Sequence, residues 1–277
     1  MDKIKAVFKI IRPLNILITF ISVIVGGIIA LKSNFIPQSL LFAALAEALT
    51  FSSGNIINDI FDLEIDKINR PERVLPSRII TINLAGIIYL LFALLAVYIS
   101  YNINPTVFKI ILITNIILFL YSFIIKKMIL IDNVIVSVIV GSAFIVGSAS
   151  VGNISAGYIP FVFALLINFT REIVKDIEDI KGDSASGIKS FPSVFGFGNS
   201  KIIILLSTIV LIIITFYPYI FDIYGFVYLL IILIVVDPFL VFILIKLFKN
   251  DTIENFKKVS IYLKVTMLFG LIAIYLG

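Results

Sequence analysis

Carboxylates and basic residues are concentrated in one short stretch of an otherwise apolar chain, residues 55–71, which reads NIINDIFDLEIDKINRP. Within it, Asn55, Asp59, Asp62 and Asp66 follow one another at spacings of four, three and four residues. On a helix, which turns by about 100° per residue, this spacing predicts one narrow stripe of oxygen donors. Oxygen donors of this kind suit a hard divalent cation.

A second acidic stretch, residues 172–183, matches the first at an offset of 117 residues. Three aspartates and two isoleucines coincide in twelve positions, and the matching aspartates are Asp176, Asp179 and Asp183. Two acidic stripes that converge at one membrane face need compensating cations, and oxygen-only ligands at this spacing favour Mg²⁺. The alternative is that both stretches are solvated acidic loops.

Basic residues accompany both acidic stripes: Arg70 and Arg73 follow the first, and Arg171, Lys175 and Lys181 accompany the second. Their presence favours a polyanion such as diphosphate, which Mg²⁺ and cationic side chains would bind together. Each of them also has a simpler explanation, as a topology signal or a lipid-headgroup contact. The chain has no Cys and no His, which excludes disulfides, thiolate or imidazole metal sites, thiol nucleophiles and a histidine base.

The elements that carry these stretches are membrane-spanning helices. The chain is 61% hydrophobic and 14% charged, whereas about a quarter of the residues of soluble domains are charged. Apolar runs long enough to cross a bilayer, which takes about 20 helical residues, lie at 13–31, 39–57, 80–100, 106–125, 130–152, 158–175, 201–220, 225–245 and 258–276. They lack the period-two alternation of barrel strands. The sequence therefore predicts an all-α, polytopic bundle of nine transmembrane helices in a single domain, residues 1–277.

Nineteen of the 22 Lys and Arg residues fall before the first span or in the loops after the even-numbered spans. This bias predicts a cytoplasmic N-terminus and a multi-pass protein of the cell membrane with its active site at the cytoplasmic face. It also accounts for the net charge of +5 without nucleic acid, and nothing in the chain indicates an obligatory protein partner. Because 117 residues correspond to four spans, the match between the acidic stretches indicates a parallel internal repeat of spans 1–4 and 5–8.

The residues that carry these features resemble the UbiA-type intramembrane prenyltransferases over the whole length of the chain. That family's first motif, N-D-x-x-D-x-x-x-D, is present as Asn58, Asp59, Asp62 and Asp66 and is followed by Asn69-Arg70-Pro71. Its second motif, D-x-x-D-x-x-x-D, is present as Asp176, Asp179 and Asp183. The segments RPLN at 12–15 and YSFIIKK at 121–127 are also similar to the family. One departure is Val74-Leu75-Pro76-Ser77-Arg78, where the family usually has Pro-Ile-Pro-Ser-Gly-Arg.

The resemblance implies roles for three sets of residues. The implied catalytic residues are Asp59, Asp62, Asp176 and Asp179. The implied ligands of Mg²⁺ are Asn55, Asp59, Asp62, Asp66, Asp176, Asp179 and Asp183. The residues implied to bind diphosphate or phosphate are Arg12, Asn15, Arg70, Arg73, Tyr121, Lys126, Lys127, Arg171 and Lys175.

The resemblance also implies a reaction, the Mg²⁺-dependent transfer of a prenyl group from a polyprenyl diphosphate to a lipidic acceptor. The second motif is most similar to an archaeal branch of the family. In that branch a geranylgeranyl group passes from geranylgeranyl diphosphate to the free hydroxyl of geranylgeranylglyceryl phosphate, which forms the second ether bond of archaeal lipids. An aromatic acceptor of quinone biosynthesis is the alternative. A cation transporter is a third hypothesis, although the acids lie at span ends rather than at the bilayer midplane.

Overall fold

The computed structural model describes residues 3–185 and 189–277, including the side chains of all of these residues except 3, 4, 69, 127 and 181–185. The described residues form helices joined by short turns, without any strand. The helices are α1 (Lys3–Ile10), α2 (Pro13–Leu31), α3 (Gln38–Phe61), α4 (Leu63–Asn69), α5 (Ile82–Tyr101), α6 (Pro105–Phe123), α7 (Ile131–Ser150), α8 (Tyr158–Ala185), α9 (Phe191–Thr215), α10 (Tyr217–Ile220), α11 (Phe226–Ile231), α12 (Asp237–Lys249) and α13 (Ile253–Leu276). Short 3₁₀ turns lie at Ile125–Lys127 and Ile154–Gly157, and a π-helical turn, Ile232–Val236, joins α11 to α12.

The predicted all-α membrane fold is confirmed, since nine helices within the described ranges are long and apolar enough to cross a membrane. Some boundaries differ from the prediction. The second span continues to Phe61 rather than 57, α8 continues to Ala185 rather than 175, and α9 begins at Phe191 rather than 201. A helix that leaves the hydrocarbon no longer needs apolar residues, so hydropathy does not mark its end. In α9 the early start is followed by a kink at Gly196, where φ is 81° and ψ is 168°.

The helices cluster into two compact units. Unit 1 comprises Met1–Lys126 and Ala143–Gly157, and unit 2 comprises Lys127–Ser142 and Tyr158–Gly277, so that α7 contributes to both. Each unit carries one of the two motifs. The single domain and the internal repeat stay predictions.

In unit 1, α3 packs against α2, α5 and α6. Close approach is possible because α3 presents small side chains, among which Ala43, Ala44 and Ala46 are fully buried. The chain after α4 is held by apolar residues, with Val74, Leu75 and Ile80 buried in one cluster with residues of α1, α3 and α5. This anchoring fixes the loop that follows the first motif.

In unit 2, α8 packs against α9 and α13, and α12 packs against α13. The buried side of α8 carries Ile173, Val174 and Ile177, all fully buried. Asp176 and Asp179 are only half-buried. The apolar residues of α8 therefore fix how far its acidic residues are exposed.

Candidate active site

The first motif lies where α3 passes into α4. α3 ends at Phe61 and α4 begins at Leu63, with Asp62 between them at φ −86° and ψ 2°. The sequence predicted that the motif lies on one uninterrupted helix, and the break at Asp62 shows that this prediction is wrong. The backbone hydrogen bonds from Asp62 N to Asn58 O (2.9 Å) and from Asp66 N to Asp62 O (2.8 Å) preserve the i, i+4 progression across the break.

All three aspartates of the first motif are buried, with Asp59 and Asp62 each 6% exposed and Asp66 4% exposed. Buried carboxylates are costly unless they are paired. Burial accordingly raises the pKa of Asp66, although the adjacent Arg73 opposes that shift.

Each of these carboxylates is paired with a basic side chain that the sequence analysis placed among the diphosphate-binding residues. Arg12 donates to Asp59 Oδ1 at 2.5 Å, and Lys126 pairs with Asp62 Oδ2. Arg73 donates to Asp66 Oδ2 at 2.5 Å and lies 3.4 Å from Asp59 Oδ1. The structure therefore brings three predicted anion-binding cations onto three predicted metal ligands.

Arg12 reaches the motif from the junction between α1 and α2. It adopts a left-handed conformation with φ 58°, which is uncommon for a residue other than glycine. Its guanidinium also donates to Asn55 Oδ1 at 3.2 Å, and Asn55 Nδ2 donates to Ile11 O at 3.0 Å. The contacts of the Arg12 guanidinium, together with the hydrogen bond from Asn55 to the adjacent Ile11 carbonyl, offset the cost of the left-handed backbone conformation.

Other predicted residues of unit 1 are less deeply buried than the aspartates of the first motif. Asn15, Arg70 and Tyr121 are half-buried. Within the described part of the chain, the Asn15 side chain makes no hydrogen bond, although its carbonyl accepts one from Thr19. The Lys127 side chain lies outside the described residues.

In unit 2 the second motif follows one continuous helix, α8. Asp176 Oδ2 accepts a hydrogen bond from Asn133 Nδ2 at 2.9 Å. One turn before the motif, Glu172 accepts from Arg171 at 3.0 Å and from Lys175 at 2.6 Å. Both predicted cations are therefore placed beside the motif on the same helix. The Asp183 side chain lies outside the described residues.

Asn133 is a site residue that the sequence analysis missed. It is 3% exposed and lies in the first turn of α7, from which it contacts the motif helix α8. The internal match of the two acidic stretches gave no signal for it, because an offset of 117 residues pairs Asn133 with Ile16.

The donor atoms of the first motif fit Mg²⁺ in chemical type, because all of them are oxygens. Asn58 supports the fit, since its Nδ2 donates to Asp62 at 2.8 Å while its Oδ1 is buried without a hydrogen-bond partner. Such an orphaned acceptor suits a cation or a cation-bound water. Within the described ranges no three acidic residues are clustered as a metal site, and in the first motif basic side chains occupy the carboxylates instead.

A cavity of ≈ 200 Å³ lies elsewhere in unit 2, at the connection of α12 and α13, and contains none of the predicted site residues. Its lining residues are Lys246, Lys249, Asn250, Thr252, Glu254, Asn255, Lys258 and Tyr262. It therefore adds no group to the candidate site.

Comparisons with known proteins agree with the geometry. Residues 19–268 match the model of the UbiA prenyltransferase family. Digeranylgeranylglyceryl phosphate synthase of Methanococcus aeolicus is 38% identical, with 99% of this chain and 98% of that protein covered. The synthase of the same name from Sulfurisphaera tokodaii is 34% identical, with 99% and 98% covered.

Solved structures give the same result. A structure described as providing structural and mechanistic insights into digeranylgeranylglyceryl phosphate synthase in membranes is 34% identical, with a TM-score of 0.82 and coverage of 100% of this chain and 99% of that one. A UbiA homolog from Archaeoglobus fulgidus bound to GPP and Mg²⁺ shares the fold at 19% identity, with a TM-score of 0.69 and coverage of 97% and 99%. The chain therefore belongs to the UbiA prenyltransferase family, as its two motifs indicated.

Proposed function

We propose that the protein transfers a geranylgeranyl group from geranylgeranyl diphosphate to the free hydroxyl of geranylgeranylglyceryl phosphate. The observation that carries the proposal is the similarity, over nearly the whole chain, to relatives named digeranylgeranylglyceryl phosphate synthase at 30–38% identity. These names favour this acceptor over an aromatic one, and they favour an enzyme over a transporter. The reaction forms one carbon–oxygen ether bond, breaks the bond between the prenyl carbon and diphosphate, and releases the hydroxyl proton.

The first motif and its cations are suited to the departure of diphosphate. Bound Mg²⁺ would neutralise the negative charge that develops on this leaving group. In unit 1 its ligands would be Asn55, Asp59, Asp62 and Asp66, and in unit 2 they would be Asp176, Asp179 and Asp183. An Archaeoglobus fulgidus homolog bound to GPP and Mg²⁺ supports Mg²⁺ as the ion.

The basic residues would bind the phosphoryl oxygens. Arg12, Arg73 and Lys126 already lie on the carboxylates of the first motif, so each is positioned to exchange a carboxylate oxygen for one of diphosphate. Arg171 and Lys175 would act in the same way from α8. Asn15, Arg70, Tyr121 and Lys127 complete the proposed set.

The surrounding helices would keep water from the allylic carbon, which carries positive charge as diphosphate leaves. The hydroxyl proton would pass to a carboxylate or to the departing diphosphate, because the chain has no histidine. The bias of Lys and Arg supports a cytoplasmic N-terminus and a site at the cytoplasmic face. The match of the two acidic stretches at an offset of 117 residues supports an internal repeat within one domain.

The test uses purified protein with labelled geranylgeranyl diphosphate and Mg²⁺. We expect ether-linked product with geranylgeranylglyceryl phosphate and none with 4-hydroxybenzoate. Asp59→Asn and Asp176→Asn should abolish product, whereas Glu64→Ala should not. Glu64 is the matched control, because it lies in the same acidic stretch but is 80% exposed in its side chain and, among the described residues, pairs only with Lys67. Product with the aromatic acceptor alone would refute the proposed acceptor.

A further inference from the structure

Lys264 is a basic residue in the middle of α13, and the sequence analysis gave it no role. α13 runs from Ile253 to Leu276 and is apolar enough to span a membrane, so Lys264 lies about a dozen residues from either end. It is half-buried. Ionisable residues at such depth are costly and usually serve a function.

The surroundings of Lys264 belong to α8. The two helices pack against each other, and Ser260, one turn before Lys264, hydrogen-bonds to Glu178. Lys264 itself lies within electrostatic range of Arg171, Lys175, Glu172 and Glu178. Three cations thus share this part of unit 2 with Glu172 and Glu178, and the motif carboxylates Asp176 and Asp179 interact with the same residues.

Glu172 is fully engaged, whereas Glu178 has a buried Oε1 without a hydrogen-bond partner among the described residues. Glu172 accepts hydrogen bonds from both Arg171 and Lys175, and Glu178 is bonded to Ser260. Lys264 has no ion pair within the described ranges, and Asp237, an intramembrane acid on α12, accepts hydrogen bonds from Thr215 instead. Lys264 is therefore the cation of this cluster without a bonded carboxylate in the described part of the chain.

Arg171 also has an unused donor. Its Nε is buried and finds no hydrogen-bond partner among the described residues, although its NH1 donates to Glu172. A buried N–H without an acceptor is costly and calls for an explanation. The Lys264 ammonium and Arg171 Nε together offer donors to an anion with several oxygens.

We propose that Lys264 binds the phosphate monoester of the acceptor, together with Arg171 and Lys175. This assignment rests on the proposed function, which supplies a phosphorylated acceptor in addition to the diphosphate donor. Phosphate supplies an anionic partner for Lys264, and its oxygens accept from the unused donors. Glu172 is already held by its own partners.

The position of the cluster suits the acceptor's geometry. Arg171 and Asp176 are five residues apart on α8, which corresponds to about 7.5 Å along the helix axis, and Lys175 is adjacent to Asp176. In a glycerol phosphate the free hydroxyl is only a few bonds from the phosphate. Phosphate bound by these cations would therefore hold the hydroxyl within about one helical turn of the second motif.

The test compares Lys264→Met and Lys264→Arg with Lys109→Met. Lys109 is the matched control, because it is also a lysine in a predicted span but is exposed, near the start of α6. We expect Lys264→Met to raise KM for geranylgeranylglyceryl phosphate by about ten- to a hundredfold, as for the loss of one charge-assisted contact. KM for geranylgeranyl diphosphate should change little. Lys264→Arg should retain most of the affinity, and Lys109→Met should behave as the wild type.

A second acceptor separates binding from a structural role. Geranylgeranylglycerol lacks the phosphate, so the wild type should prefer the phosphorylated acceptor and Lys264→Met should lose most of that preference. Because Lys264 has no ion pair to lose, its replacement by Met should not lower the thermal midpoint of the substrate-free protein. A lower midpoint with an unchanged acceptor preference would assign Lys264 a structural role and overturn the inference.

The outcomes also distinguish this inference from the proposed function. If the wild type forms no ether with geranylgeranylglyceryl phosphate, the proposed function is wrong and this inference fails with it. If the wild type forms the ether while Lys264→Met keeps the wild-type KM and phosphate preference, only the assignment of Lys264 is wrong.

Discussion

Replacing Arg73 by Met should strongly destabilise the metal-free protein, because Arg73 is the basic partner of Asp66. The guanidinium donates to Asp66 Oδ2 at 2.5 Å and lies 3.4 Å from Asp59 Oδ1. Asp59 keeps Arg12 at 2.5 Å after the change. Asp66 would keep no basic partner within the described ranges, although its side chain is only 6% exposed.

The size of the effect follows from this burial. Removal of one partner of a buried ion pair costs about 3–5 kcal/mol, and the 20% exposure of the Arg73 side chain favours the lower end of that range. A loss of about 3 kcal/mol corresponds to about 6–12 °C in the thermal midpoint, at about 2–4 °C per kcal/mol for a large domain. Met retains most of the apolar stem, so little packing is lost with the charge.

The pH dependence of the loss provides a second measurement. Burial raises the pKa of Asp66 while Arg73 opposes that shift, so the substitution should raise the pKa further. A carboxyl whose pKa is raised on folding does not destabilise the folded state at low pH, where it is protonated in both states. The destabilisation grows as the pH rises above the unfolded-state pKa, and it is complete above the folded-state pKa. The loss of stability that Arg73→Met causes relative to the wild type should therefore become smaller as the pH is lowered from about 8 to about 5.

The assay is thermal unfolding in detergent without Mg²⁺, with Lys67→Met as the matched control. Lys67 pairs with Glu64 at 2.6 Å, but the two side chains are 44% and 80% exposed. Such surface pairs contribute about 0–1 kcal/mol, so this control should shift the midpoint by no more than about 2–4 °C. Equal shifts for the two variants, or a deficit of Arg73→Met that does not vary with pH, would refute the reasoning.

Three further changes test the packing and the cofactor. Gly147→Ala should destabilise the protein strongly, because its Cβ would lie 2.0 Å from Val23 O. Gly86→Ala should be neutral or stabilising, because no atom lies within 4 Å of its Cβ. Thermal unfolding of both variants checks the contrast. Tyr228→Phe should lower the free energy of unfolding by about 1 kcal/mol, because it removes a 2.8 Å hydrogen bond to Thr215 O, and an unchanged denaturation midpoint would contradict this. Treatment with a chelator should abolish prenyl transfer and added Mg²⁺ should restore it, so full activity of the chelated protein would count against the metal.

The sequence predicted the spans well because the requirement behind them is simple. A segment in hydrocarbon must be apolar for about 20 residues, and all nine predicted runs correspond to helices in the described chain. The extension of α8 to Ala185 was not predictable in this way, because its last turns are polar. The break at Asp62 was also hidden, since its local sequence repeats every three or four residues as an unbroken helix would.

The side-chain partners of the motifs were less predictable than the motifs themselves. The resemblance implied that Arg12 lies near the diphosphate, but its contact with Asp59, 47 residues away, depends on a left-handed backbone at φ 58°. Asn133 reaches Asp176 across 43 residues and has no distinctive neighbours in sequence. Such contacts depend on the register between packed helices, which periodicity along one helix does not determine.

The paired state of the first motif suggests how the protein holds three buried carboxylates before substrate arrives. Arg12, Arg73 and Lys126 neutralise them, and the same cations are the ones proposed to bind diphosphate. Substrate binding would then be an exchange, in which Mg²⁺ takes over the carboxylates as diphosphate takes over the cations. Neither half of the exchange is favourable alone, since it would leave buried charges of one sign unpaired. The donor and the metal should therefore bind cooperatively, each raising the affinity for the other by the same factor.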